Sequence, residues 1–346
     1  MLGDRIKSAR VKAGLSLDAL ATKASNVVTK QAISQYEKNQ KTPSSTVLIA
    51  LANALGVGVE YFFRTVNVSI GSVDFRKHSS FGAKKQESLK ERVKEYLERY
   101  IQVESVLDLA GDFKNPFDGC AIADYADLEE MADKLRDVWG LGFDQIDNVV
   151  DMLELQNIKV MLIEDERKFN GLSGYANNDL AHPFIVLNDS GDLSADRKRF
   201  TAIHELAHLL FEGKHSLDAE KVSDRFAGAF LFPRQSVIKE FGAKRSSISL
   251  EELKQVKLKY KISMAGIVMR LSQLGFIGDT VKQRFFIQNN KAKFEGLVQI
   301  EHSEKPSRFE NLLARAYSEK MISLSKLAEL SGCNVDEALQ QYGTTL

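Results

Sequence analysis

The chain has 346 residues, of which 44% are hydrophobic and 27% charged, and its basic and acidic side chains are equal in number. This composition is typical of a soluble globular protein with two or three domains, and zero net charge predicts no affinity of the whole chain for a polyanion. No stretch approaches the roughly 18 apolar residues of a membrane span, and the first residues lack the apolar core of a signal peptide. Two distant cysteines argue against a disulfide framework and indicate a reducing cytoplasm, where we expect the protein to act without membrane contact.

Residues 1–66 differ from this average because they carry nine basic and four acidic side chains. Apolar spacing and helix caps there predict four or five short helices, the layout of a helix-turn-helix DNA-binding domain. In the third predicted helix, Ile33 and Tyr36 pack inward. Polar side chains near the N-terminal end of this helix suit bases and phosphates, and the predicted DNA contacts are Lys30, Gln31, Ser34, Gln35, Lys38 and Lys41.

A metal-binding motif occupies residues 204–208, which read His-Glu-Leu-Ala-His and match the pattern H-E-x-x-H. On a helix, His204 and His208 lie one turn apart on the same face, where two imidazoles can bind one Zn²⁺. Glu205 lies beside them and is the expected general base. The sequence therefore predicts a zinc site with hydrolytic chemistry.

The third protein ligand must come from outside the motif. Glu220 and Asp224 are spaced by four residues on a second predicted helix. We expect Glu220 to complete the ligand set in a gluzincin-like arrangement, and Asp224 to accept the N–H of a ligand histidine. His215 remains a lesser candidate for the third ligand, and Tyr175 and His182 remain candidates for stabilising an oxyanion.

The rest of the pattern predicts a mainly α protein with a small β-sheet (α+β). Helices are expected at about 83–109, 128–141 and 143–155, strands at 158–163 and 184–187, and turns at Gly171 and Gly174. The helix at 83–109 is a surface helix, a connector or a dimerisation helix. The strand at 184–187 either binds a peptide by β-augmentation or lies inside the sheet.

Four segments are predicted along the chain. They are an all-helical helix-turn-helix domain at 1–66, a linker with a connecting helix at 67–124, a zinc metallopeptidase core at 125–238 and a helical C-terminal region at 239–346. Residues 324–335 of the last segment themselves read like a helix-turn-helix. We interpret this part as a packing or substrate-sensing module, with a second DNA reader as the alternative.

Two parts of the chain resemble known protein families. Residues 3–63 resemble the Xre-type helix-turn-helix family through Gln31–Asn39, Pro43 and Leu51–Val57. Residues 125–235 resemble the ImmA/IrrE-type zinc peptidases, and the matching positions are Leu135-Arg136, Trp139–Gly142, Phe169–Ser173, Ile185–Asn188, Phe200–Ile203 before the motif, Glu220-Lys221, Ser223–Ala227 and Leu231–Pro233.

These resemblances imply a bacterial or phage endopeptidase that binds a double-stranded DNA operator and cuts a regulatory protein. The expected substrate is an Xre-type repressor or an antitoxin, in a stress-response, phage or toxin–antitoxin setting. A homodimer is expected by analogy with other helix-turn-helix proteins. The alternatives are a transcriptional regulator whose zinc is structural or senses a ligand, and a scaffold that binds neither metal nor specific DNA.

Overall fold

The structure is a computed structural model of the 346-residue chain. It describes residues 2–64, 68–71, 82–109, 111–164, 170–177, 181–190, 193–242, 244–301 and 303–343. These residues form sixteen α-helices and one four-stranded sheet, which confirms the predicted mainly α fold with a small β-sheet. None of the helices in these ranges is long and apolar enough to cross a membrane.

The chain divides into two compact units. The first comprises Met1–Asp112, Tyr175–His182 and Ser307–Leu346, and the second comprises Phe113–Gly174 and Pro183–Pro306. This division rests on spatial contacts, whereas the four predicted segments follow the order of the sequence. The boundaries of those segments stay a prediction.

Four short helices open the first unit, and polar caps decide where they begin. They are α1 (Leu2–Lys12), α2 (Leu17–Lys23), α3 (Lys30–Glu37) and α4 (Ser45–Leu55), followed by a short 3-10 helix at Val59–Phe63. Ser16, Thr29 and Ser44 each accept a hydrogen bond from a backbone N–H three residues ahead, which satisfies a donor that the helix leaves unpaired. Gly56 ends α4 in the left-handed conformation, with φ of 67°. The predicted all-helical N-terminal domain is confirmed.

The remaining helices of the first unit pack around a long central helix. They are α5 (Ala83–Val106), α14 (Arg308–Ser318), α15 (Leu324–Ser331) and α16 (Val335–Tyr342). Tyr100 on α5 and Leu327 on α15 are both buried in one apolar cluster. The Arg64 guanidinium, after the 3-10 helix, lies 2.8 Å from the Glu329 carboxylate on α15. Because α5 also packs on α1, the predicted helix at 83–109 is a packed connector within this unit, and its role in dimerisation stays a prediction.

The sheet combines parallel and antiparallel pairs. Its strands are β1 (Ser69–Ile70), β2 (Lys159–Ile163), β3 (Gly171–Asn177) and β4 (Ala181–Asn188). Their order is β1-β3-β4-β2, with β1 antiparallel to β3 and β2 parallel to β4. Since β4 has a strand on each side, β-augmentation along the run at 184–187 is ruled out, and the interior alternative is correct.

Strand β3 corrects the prediction of turns at Gly171 and Gly174, because both glycines lie inside the strand. A Cβ atom at Gly171 would lie 2.6 Å from Thr201 Cγ2 and 3.1 Å from Glu205 Cγ. Glycine therefore serves here for the close approach of a strand to a helix, which is a known use of glycine within strands. The sequence pattern alone does not distinguish this use from a turn.

Eight α-helices build most of the second unit. They are α6 (Asp127–Val138), α7 (Val149–Leu155), α8 (Ala195–Phe211), α9 (Ala219–Leu231), α10 (Arg234–Phe241), α11 (Leu250–Tyr260), α12 (Met264–Gln273) and α13 (Asp279–Ala292), with a 3-10 helix at Phe294–Leu297. The helix predicted at 143–155 begins only at Val149, because the Asn148 side chain accepts hydrogen bonds from the next backbone N–H groups and caps it.

A buried ion pair fixes helix α8, which carries the metal motif. The side chains of Arg199 and Glu304 are 1% and 0% exposed and form this pair. The Glu304 carboxylate also accepts hydrogen bonds of 2.9 and 3.1 Å from the N–H groups of Val149 and Val150 at the start of α7. Removal of one partner from a pair this deeply buried leaves an uncompensated charge, which costs about 3–5 kcal/mol. The pair therefore ties α8 to α7 and to the segment before α14.

Candidate metal centre and nucleic-acid interface

Helix α8 presents both motif histidines on one face because its other face is apolar. Ile203, Leu206 and Leu210 are fully buried in the core. The histidine side chains are 15% and 23% exposed, at the side of the helix that packs against α9. In the structure, His204 and His208 therefore lie one helical turn apart on one face of α8, as predicted.

A tight reversal brings α9 back alongside α8. Gly213 has φ of 72°, a left-handed conformation that glycine adopts without strain. Asp218 then caps α9 by accepting hydrogen bonds from the N–H groups of Glu220 and Lys221, at 3.0 and 3.3 Å. The cap starts the helix just before Glu220, so that this side chain points back at the two histidines in the first turn of α9.

The three predicted ligands lie together. His204 Nε2 lies 3.1 Å from His208 Nε2 and 3.3 Å from a Glu220 carboxylate oxygen. The second carboxylate oxygen of Glu220 lies 3.6 Å from His208 Nε2. Within the described residues, His204, His208 and Glu220 are the group of potential ligands whose donor atoms all lie within 4.8 Å of one another.

This geometry fits a small tetrahedral metal ion. Ligand atoms at the usual 2.0–2.1 Å from a tetrahedral zinc ion lie about 3.3 Å from each other. The observed separations of 3.1, 3.3 and 3.6 Å bracket that value. Two imidazoles and one carboxylate are also a ligand set that zinc prefers, and three protein ligands leave a fourth position open.

Asp224 contacts one of the candidate ligand histidines. Its carboxylate lies 2.9 Å from Nδ1 of His204. Because a carboxylate only accepts, Nδ1 carries the proton and Nε2 is left free to bind a metal. Burial alone would lower the pKa of His204, but the hydrogen bond to Asp224 and the negative charges of Glu205, Asp224 and Glu220 outweigh burial and raise it. The carboxylates of Glu205, Asp224 and Glu220 therefore give the site a negative charge that would suit a bound metal ion.

Glu205 is held by strand β3. It is 8% exposed, and its carboxylate accepts a hydrogen bond of 2.8 Å from the Ser173 hydroxyl. The absence of a side chain at Gly171 provides the space for the Glu205 methylene groups. Sequence reasoning placed Gly171 in a turn and matched Gly171 and Ser173 to the peptidase family, but it did not connect either residue to Glu205. They precede Glu205 by about thirty positions, and no spacing rule links them to the motif.

A second serine contacts the other histidine. Ser223 is buried on α9, and its hydroxyl lies 3.3 Å from Nδ1 and 3.4 Å from Nε2 of His208. The i, i+3 spacing from Glu220 places Ser223 on the same side of α9. That spacing is the signal that sequence reasoning could have used to find this contact.

The lesser candidates have other positions. His215 is outside the group of three potential ligands, and its Nδ1 donates a hydrogen bond of 3.2 Å to the carbonyl of Leu217. Tyr175 and His182 lie in strands β3 and β4 and belong to the first unit. Their role in oxyanion stabilisation stays a prediction.

The predicted DNA-contacting side chains lie on and after α3. Ile33 is fully buried, and Tyr36 packs partly against the same core, which leaves the opposite side of the helix to solvent. Lys30, Gln31, Lys38 and Lys41 are exposed, whereas Ser34 and Gln35 are half-buried. The Lys30 ammonium pairs at 3.2 Å with Asp18, an exposed contact that DNA phosphates can replace at little cost.

Two family models match the chain. One is described as helix-turn-helix and matches residues 6–62. The other is described as the IrrE N-terminal-like domain, a peptidase family, and matches residues 154–272. The chain joins a helix-turn-helix domain to an IrrE N-terminal-like domain. Among curated proteins, none matches the chain.

The two matches cover the two candidate sites. The helix-turn-helix match contains most of α1 and all of α2–α4, and every predicted DNA-contacting residue lies within it. The IrrE N-terminal-like match runs from the end of α7 almost to the end of α12 and contains Glu205 and the group of three potential ligands. The fusion that the sequence resemblances implied is confirmed.

Proposed function

We propose that this helix-turn-helix and IrrE-like fusion is a DNA-bound zinc endopeptidase that cuts a regulatory protein. The observation that carries the proposal is the packing of His204, His208 and Glu220 into one ligand group with Glu205 beside it. That group lies inside a domain of a peptidase family. The expected substrate is an Xre-type repressor or an antitoxin, in a stress-response, phage or toxin–antitoxin setting within the cytoplasm.

In the proposed reaction, His204, His208 and Glu220 hold the zinc ion. When bound, zinc acts as a Lewis acid that polarises the scissile carbonyl and makes water more acidic. Glu205 takes a proton from the attacking water as the water oxygen bonds to the carbonyl carbon. Glu205 then returns this proton to the amine nitrogen as the C–N bond breaks. The Ser173 hydroxyl donates to the Glu205 carboxylate at 2.8 Å and keeps it oriented during both transfers.

The helix-turn-helix domain would place this peptidase at an operator. The exposed polar side of α3 supports the proposal, because α3 is the helix that enters a major groove in this class of domain. The excess of basic over acidic side chains in residues 1–66 favours contacts with DNA phosphates. We extend the proposal to a homodimer, since two half-sites one helical turn apart are the usual target of such domains.

Zinc content tests the metal site directly. Purified full-length protein without an affinity tag should contain about one zinc ion per chain by mass spectrometry. The variants His208→Ala and Glu220→Ala should lose it, whereas Glu205→Gln should keep it. Absence of zinc in the wild type, even after zinc is supplied, would refute the proposal.

Cleavage separates the enzyme from the alternative regulator. The wild type should cut a degenerate decapeptide library or a purified Xre-type repressor, and new N-termini can be counted by mass spectrometry. Glu205→Gln should abolish cleavage while zinc stays bound. A zinc-loaded wild type that cuts neither substrate, and a Glu205→Gln variant with unchanged regulation in cells, would favour a regulator with a structural or sensing zinc.

A further inference from the structure

A cavity of about 160 Å³ lies beside the candidate metal centre, inside the second unit. Its walls come from helices α8, α9 and α12 and from the turn that precedes α12. The apolar part of the lining is formed by Phe200, Leu231, Ile262 and Met269. Cavities of about 150 Å³ accept a benzene ring, so the cavity has room for a branched aliphatic or aromatic side chain.

The charged groups in the wall are already paired with protein groups. Arg270 binds both oxygens of the Glu129 carboxylate, at 2.7 and 2.9 Å, and its Nε donates to a backbone carbonyl. Asp224 binds His204, and Asp196 lies 3.8 Å from Lys257. A charged side chain that entered the cavity would therefore lose its hydration without gaining an ion-pair partner. The loss of hydration of an unpaired charge is unfavourable. The lining favours an uncharged occupant.

The cavity adjoins the metal ligands through both helices. Phe200 precedes His204 by one helical turn, and the two ring centres are 6.4 Å apart. Asp224 lines the cavity and also contacts His204 at 2.9 Å. Consecutive Cα atoms of a peptide lie 3.8 Å apart. A peptide whose scissile carbonyl lies at the three ligands can therefore reach the cavity with the side chain of a neighbouring residue.

We propose that this cavity selects the substrate by binding an apolar side chain, of the Leu, Met or Phe class, at a residue that flanks the scissile bond. The inference rests on the proposed function, since it places the scissile carbonyl at the metal centre. Two glycines keep the cavity open. A Cβ atom at Gly228 would lie 2.9 Å from Arg270 Cδ, and one at Gly266 would meet only the Ser263 hydroxyl, at 3.1 Å.

Hydroxamates test the cavity without a need for catalysis. Binding to the zinc-loaded full chain is measured by calorimetry for acetohydroxamate and for two series that carry Gly, Leu, Phe, Glu or Lys side chains. N-acetyl-aminoacyl hydroxamates place the side chain on the acyl side of the scissile bond, and 2-substituted succinyl hydroxamates place it on the amine side. In one series, the Leu and Phe members should bind about 10- to 100-fold tighter than the Gly member.

Gly266→Leu fills the cavity from a helix position that favours a side chain over glycine. This variant should weaken the Leu and Phe members at least tenfold and leave zinc content and acetohydroxamate binding unchanged. Ala292→Leu, which places the same leucine side chain at an exposed position on α13, is the control and should change nothing.

The outcomes separate the two proposals. Failure of acetohydroxamate to bind would overturn the proposed function and this inference with it. Binding of acetohydroxamate with affinities within threefold across both series, or with a preference for Glu or Lys, would overturn the cavity assignment alone. Retention of Leu and Phe affinity in Gly266→Leu would also overturn it.

Discussion

The hydrogen bond between Asp224 and His204 makes a quantitative prediction for metal affinity. The Asp224 carboxylate lies 2.9 Å from Nδ1 of His204, and the two side chains are 59% and 15% exposed. Loss of a group that orients a ligand histidine usually lowers metal affinity by about 10- to 100-fold. Because water screens the exposed carboxylate, we expect the lower end of this range, about tenfold or 1.4 kcal/mol, for Asp224→Asn.

The amide oxygen of Asn can still accept the Nδ1 proton, whereas Ala cannot, so Asp224→Ala should lose more affinity than Asp224→Asn. Competition with a chromophoric zinc chelator at pH 7.5 gives the affinity of each variant. Asp137→Asn, the same substitution at an exposed position on α6, is the control for charge alone. If both Asp224 variants bind zinc within twofold of the wild type, Asp224 does not orient His204 and the reasoning is wrong.

Three further outcomes are expected. Gly171→Ala puts a Cβ atom 3.1 Å from Glu205 Cγ. Displacement of the Glu205 carboxylate should slow peptide cleavage on the order of 100-fold while zinc content is unchanged. An unaltered rate would contradict the role of Gly171 in positioning Glu205. Glu129→Gln weakens the bidentate contact with Arg270 and should cost about 1.5–3 kcal/mol in urea unfolding at pH 7. Burial alone would raise the pKa of Glu129, but its arginine partners outweigh burial and lower it. Its stabilisation is therefore full above the unfolded-state pKa and is lost as the pH falls through the lowered folded-state pKa, so wild type and variant should converge once the pH is below that folded-state pKa. A constant difference would count against this. Gln31→Ala should weaken binding to a selected operator by about 1–3 kcal/mol and binding to random DNA far less, as fluorescence anisotropy can show; equal losses would remove Gln31 from base recognition.

Local rules gave much of the fold from the sequence. The short N-terminal helices that apolar spacing and helix caps predicted are present, and Ser16, Thr29 and Ser44 cap three of them. His204 and His208 share a face because a helix of any origin places residues four apart one turn from each other. These features depend on neighbours within about four positions, which a single sequence displays directly.

The structure alone decided the features that depend on distant segments. Glu220 and His215 were both candidates for the third ligand, and the turn at Gly213 and the cap at Asp218 direct the chain so that Glu220, and not His215, lies beside the two motif histidines. Ser173 reaches Glu205 across 32 positions.

The same limit explains the errors and omissions of the sequence analysis. Gly171 was predicted to be in a turn because the sequence does not show that helix α8 packs across β3 at this position. That packing leaves no room for a side chain there. The cavity beside the metal centre requires α12, which begins forty residues after Asp224. In each case, the deciding contact joins residues whose separation in the chain is too large for helix or strand periodicity to fix their distance. Only packing of the completed core brings them together.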